Sequence, residues 1–168
     1  MNFKSRTTVK SFLAYGALSL LLSGCQMLSY QEPNGDDTAT IIFSTENAAV
    51  QPVICVPSQG FESSNFSVAR KSSTNDTMKD LHEAMHKAEQ VSVRVDASRH
   101  SARIGFIMQK KSEAGPRKIC KVAAQLSVVA GQTYHATFTE ASNSCGVTLT
   151  DANGTPLTDA IVTAYECQ

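Results

Sequence analysis

The stretch "CKVAAQLSVVAGQTYHATF", residues 120–138, decides how this chain is read. Cys120, Val122, Ala124, Leu126 and Val128 alternate with Lys121, Gln125 and Ser127, which is the period of two that a half-buried strand requires. Gly131 interrupts the pattern. It resumes with Tyr134, Ala136 and Phe138 on one side and Thr133, His135 and Thr137 on the other.

The same period recurs outward in both directions. "CGVTLTD" (145–151) puts Cys145, Val147 and Leu149 on one face, and an Asn153-Gly154 turn signal separates it from "DAIVTAYEC" (159–167). Upstream, "VSVRVDA" (91–97) shows it with Val91, Val93 and Val95 on one side, while "ARIGFIMQ" (102–109), the β-branched "TATIIFST" (38–45) and the run "VQPVICV" (50–56) also read as strands. Pro52 marks an edge or a strand start. Seven to eight short strands at regular spacing predict a mainly β chain, an antiparallel β-sandwich of the immunoglobulin or transthyretin-like kind, formed by 38–168 as a single domain. Residues 57–77, rich in Ser, Asn and Thr, read as a loop. One element breaks the period. Asp76 stands as an N-cap before Met78, Leu81, Met85 and Ala88, the spacing of a short amphipathic helix over 76–90 inserted among the strands.

The 168 residues carry fifteen basic and fifteen acidic side chains. Three of the basic ones, Lys4, Arg6 and Lys10, lie at the N-terminus, so the remainder is slightly acidic and no nucleic-acid partner is expected. Those three cations precede the apolar run "SFLAYGALSLLL" (11–22), too short to span a bilayer stably. Leu22-Ser23-Gly24-Cys25 follows and resembles the lipobox of bacterial lipoproteins. The resemblance implies a signal peptide over 1–24, cleavage before Cys25, a diacylglyceryl thioether on its sulfur and an acylated new amine. Several acyl chains make membrane attachment persistent. Gln26 after the cysteine implies sorting to the outer membrane. Residues 25–37, polar and holding Pro33 and Gly35, read as a lipidated tether.

Four cysteines remain: Cys55, Cys120, Cys145 and Cys167. An even number in an exported chain predicts two disulfides. A hairpin about Gly154 would bring Cys145 to Cys167 and leave Cys55 with Cys120; the competing choice joins Cys120 to Cys145 across a hairpin at Ala130-Gly131-Gln132. None has the spacing of a cysteine metal site.

His82-Glu83-Ala84-Met85-His86 reads H-E-x-x-H, the pattern that places two imidazoles on one helix face beside a general base. No third ligand follows His86 at the metzincin spacing, and Lys79, Asp80 and Lys87 suit a surface helix. The expectation is therefore no metal, no cofactor and no catalysis, with a small zinc hydrolase built on His82, Glu83 and His86 as the alternative. Arg94, Arg99, His100 and Arg103 bracket an expected hairpin near 96–99 and could meet an acidic partner or lipid headgroups.

The C-terminal half resembles a loose family of small proteobacterial lipoproteins through Cys120, Ala130-Gly131, Tyr134, Cys145, Val147, Asp151 and Gly154. That resemblance implies a sandwich-like fold and outer-membrane attachment, and it brings no activity. The function expected is a noncatalytic accessory or binding module, lipid-anchored in the outer membrane and facing the periplasm, for an envelope protein or the cell wall. A further alternative is an inhibitor of an envelope-attacking enzyme that uses the 57–77 loop as a plug.

Overall fold

The computed structural model describes residues 29–68, 87–110, 115–142 and 144–167. The expected signal peptide, Cys25, the His82-Glu83-His86 triplet and the part of the expected 76–90 helix that runs to His86 lie outside the described residues. Those described are mainly β, with eleven strands. β1 (Thr38–Thr45), β6 (Val91–Asp96), β9 (Thr133–Glu140) and β10 (Cys145–Asp151) form a four-stranded sheet in the order β10-β9-β1-β6. β2 (Gln51–Val56), β3 (Gly60–Ser63), β7 (Ser101–Lys110), β8 (Lys118–Ser127) and β11 (Ile161–Thr163) form a five-stranded sheet in the order β11-β8-β7-β2-β3. β4 (Ser67–Val68) and β5 (Lys87–Ala88) pair in parallel beside them.

The two large sheets share one core. Phe43 from β1 meets Phe106 from β7 edge to face, centroids 5.4 Å apart, and Phe106 meets Phe138 from β9 at 5.6 Å. All three are fully buried, and such pairs add about 1 kcal/mol beyond the area they bury. The alternation in 120–138 is realised as read: Val122, Ala124 and Leu126 on β8, and Tyr134, Ala136 and Phe138 on β9, all belong to that core.

Several expectations are corrected. The chain does not turn back within one sheet at 96–100 or at 129–132; both segments are corners that carry it from one sheet to the other. At the first, His100 adopts φ 54° and its N–H bonds the Ala97 carbonyl, while the Asp96 carboxylate accepts from Ser98 N. At the second, Gly131 adopts φ 76°, which a residue without a Cβ takes freely, and Val129 N–H donates to the Tyr134 hydroxyl at 3.1 Å. The sheets are not purely antiparallel. β1 and β9 run parallel, from Thr40↔Thr133 to Thr45↔Phe138, because about ninety intervening residues free the pair from hairpin geometry.

The predicted helix does not reach Gln90. Lys87 and Ala88 are extended and pair with Ser67 and Val68, which seats Ala88 against the core directly ahead of β6. The expected loop over 57–77 is in part strand: β3 pairs with β2, and Val68 is fully buried with its backbone bonded to Val50.

The preferred disulfide pairing is overturned. The Asn153-Gly154 turn forms, with Asp151 accepting from Asn153 N and Thr155 N, but the returning strand leaves after Leu157. It crosses to the other sheet, where Ile161 pairs with Gln125. Cys167 is thereby carried to Cys55, with Cα atoms 5.4 Å apart, and Cys120 joins Cys145 at 6.5 Å. The second bridge links β8 to β10 and so ties the two sheets together.

Candidate functional site

One flank of the two large sheets is closed by a disulfide and an ion cluster. Edge strand β10 is tied to β8 by Cys120–Cys145. Beside that bridge the largely buried Glu140 accepts from Lys118 Nζ at 2.9 Å and lies 3.7 Å from Lys110 Nζ. The Lys118 hydrogen bond, with the Lys110 charge behind it, holds the Glu140 carboxyl below its ordinary value.

The opposite flank lies between edge strands β6 and β3, and it is spanned by a strap. Residues 29–33, part of the segment read as a tether, are docked on the domain. Ser29 bridges Ser63, Tyr30 N–H donates to the Ser63 carbonyl at 2.8 Å, and the Ser29 hydroxyl bonds the Asn65 side chain. The Tyr30 hydroxyl donates to the Arg94 carbonyl on β6 at 3.0 Å. Glu32 pairs with Arg94 Nε at 3.0 Å, an exposed contact of modest energy. Tyr30 therefore links the two edges through one buried side chain. Burial, helped by Glu32, Asp96 and Glu62, raises its phenol to about 12.

Beneath the strap opens a cavity of about 1180 Å³, lined by Tyr30 and Pro33, the ends of β2 and β6, and the start of β7. It arises because β2 and β7 pair only as far as Ile54↔Ile104. Beyond that register Cys55–Pro57 and Ser101–Arg103 form opposing walls.

Glu62 is the unusual group here. It sits on β3 opposite Ile54, whose side chain belongs to the shared core, and it is only 7 % exposed. Among the described residues its carboxylate takes no hydrogen bond and no ion pair. No fully enclosed polar side-chain atom among them is left without a partner, so the Glu62 oxygens reach the cavity. The neighbouring buried Ser64 shows the contrast: its hydroxyl donates to the Phe66 carbonyl at 2.6 Å and accepts from Gln51 Nε2 at 3.1 Å. A carboxylate at the cavity without a hydrogen-bond partner offers acceptors that the N–H donors of a ligand could fill.

The basic cluster read from the sequence is split. Arg99 lines the cavity; Arg94 is engaged by Glu32; His100 occupies the corner. Arg103 also lines the cavity, and its guanidinium donates to the Glu166 carbonyl at 2.7 Å and to Gln125 Oε1 at 3.0 Å. His135 sits half-buried on β9, away from these groups. Among the described residues no three His, Cys, Asp or Glu side chains converge as a metal site; His82, Glu83 and His86 lie outside them. Glu62 and Tyr30 were not found from sequence. The Ser-rich setting hid β3, and a lone Tyr in a polar segment gives no periodic signal.

No family model matches the chain, and no curated protein matches it.

Proposed function

We propose that this protein is an outer-membrane lipoprotein, anchored through Cys25 and facing the periplasm, whose single domain over 38–168 is a β-sandwich of the immunoglobulin or transthyretin-like kind. It acts as a noncatalytic binding module for an envelope component. One observation carries the binding role: the cavity beneath the strap holds a carboxylate, Glu62, that is buried and has no partner among the described residues.

The anchor and the cavity are close along the chain. Ser29 is four residues from Cys25, and four extended residues span at most about 14 Å. Since Ser29 and Tyr30 line the cavity, a lipidated Cys25 would hold its mouth against the membrane surface. The corner at Tyr134, whose hydroxyl is fastened to the turn amide of Val129, supports the sandwich reading, since such tyrosine contacts recur in that architecture.

The test of the anchor is metabolic labelling with radioactive palmitate and membrane fractionation of the full chain beside a Cys25→Ser variant. Label and outer-membrane recovery that both disappear in Cys25→Ser are expected. A wild-type chain that takes up no label and fractionates as a soluble protein would contradict the anchor.

A further inference from the structure

We propose that the cavity beneath the strap binds a small zwitterion, an ammonium group held beside a phosphate, of which a phosphoethanolamine headgroup is the simplest example. The inference deepens the binding-module reading and rests on it.

The ammonium is assigned by Glu62. The residue is 7 % exposed, and its carboxylate reaches the cavity and lacks a partner among the described residues. A primary ammonium supplies the charge and up to three N–H donors to its oxygens. The other acids near the cavity are engaged elsewhere: Asp96 accepts from Ser98 N, and Glu32 holds Arg94. The phosphate is assigned by position. Arg99, exposed on the corner between β6 and β7, lines the cavity, and so does Arg103, which is anchored on Glu166 and Gln125. A ligand with its ammonium on buried Glu62 and its anion toward exposed Arg99 meets both signs. A simple polyamine would set one cation against the arginines, and a free phosphate would leave Glu62 bare.

A quaternary ammonium should bind less well. Its methyl groups remove every N–H donor, and the Glu62 oxygens would lose hydration without gaining a hydrogen bond. This separates an ethanolamine from a choline headgroup on chemistry alone. The cavity far exceeds the volume of the headgroup, leaving room for the glycerol portion of a lipid or for a larger soluble phosphoester.

The experiment is calorimetric titration of the full chain, purified from membranes in detergent with its disulfides intact. The probes are O-phosphoethanolamine, ethanolamine, phosphocholine and inorganic phosphate, each run against wild type, Glu62→Gln and Arg99→Gln. Glu62→Gln keeps the side-chain volume, and its melting temperature and near-ultraviolet dichroism verify the fold. The expected result is saturable binding of O-phosphoethanolamine to wild type. Phosphocholine and both half-ligands should bind at least about tenfold more weakly, and Glu62→Gln should cost at least about tenfold for the two amine probes and nothing for phosphate. Competition from vesicles containing phosphatidylethanolamine, absent with phosphatidylcholine vesicles, would assign the site to membrane lipid. Binding of the soluble probe without that competition would support the site with a soluble ligand. No heat from O-phosphoethanolamine would overturn the proposal, as would phosphate binding equally well or a Glu62→Gln variant that binds unchanged. Palmitate labelling is read on a different residue, so failure of the anchor and failure of the site are distinguishable.

Discussion

The two flanks of this molecule solve one problem in opposite ways. Each must seal the gap where an edge strand of one sheet overhangs the other. At the β10 flank the seal is covalent, through Cys120–Cys145, with Glu140 and two lysines beside it. At the β6 flank a strap carrying Tyr30 crosses the gap, and beneath it a cavity retains a buried acid. A disulfide and a satisfied ion cluster add stability. The strap covers a carboxylate that takes no hydrogen bond from the described residues, an acceptor left unused by the fold.

The largest effect should come from the bridges. Loop-closure entropy assigns about 5 kcal/mol to Cys55–Cys167, which closes 112 residues, and about 3.5 kcal/mol to Cys120–Cys145, which closes 25. Paired Cys→Ala substitutions should lower urea-unfolding midpoints in that order. Equal losses would show that strain or residual structure, not chain topology, sets the values.

Tyr30→Ala is expected to cost about 3 kcal/mol, as for other large-to-small changes at buried sites, and to expose 29–33 to proteolysis. Tyr30→Phe, which removes only the hydrogen bond to the Arg94 carbonyl, should cost about 1 kcal/mol. If Tyr30→Ala melts as wild type does, the strap does not seal the flank.

The flanks should also fail at opposite ends of the pH scale. Glu140 has a lowered carboxyl, so its contribution is complete above the ordinary value of 4.5 and is lost as pH falls through the lowered one. Tyr30 is raised to about 12, so its contribution is complete below 10 and is lost as pH rises from 10 to 12. Tyr165, stacked on Phe61 at 4.4 Å and raised to about 12 by burial, follows Tyr30. Thermal melts across pH should show an acid limb removed by Glu140→Gln and an alkaline limb reduced by Tyr30→Phe. An alkaline limb unchanged in Tyr30→Phe would separate that phenol from the stability of the strap. The smallest effect belongs to Arg94→Ala, which breaks the exposed pair with Glu32 and should shift stability by less than about 1 kcal/mol.

What could be read from sequence followed period. The core faces of β6, β8 and β9 were legible because their apolar residues alternate, and alternation is a local property. The disulfide pairing was not, because it depends on which sheet a strand joins. The Asn153-Gly154 turn is present, yet the chain after Leu157 departs for β8, and no local signal announces that crossing. The corners at His100 and Gly131 misled in the same way, since a turn within a sheet and a turn between sheets use similar residues. Glu62 was invisible for a further reason. A carboxylate in a polar stretch predicts exposure, and only the packing of β3 against β2 and the strap buries it.

The measurement that tests the central claim most directly is the melting of Glu62→Leu in the full chain, with and without saturating O-phosphoethanolamine. A binding site kept at the expense of stability predicts that the variant melts at or above wild type in the absence of ligand, because a side chain whose carboxylate has no hydrogen-bond partner among the described residues has been replaced by an apolar one on a largely buried position. It also predicts that the ligand-induced rise in melting temperature seen for wild type disappears. A variant that melts well below wild type, or one that keeps the full ligand-induced rise, would contradict the account.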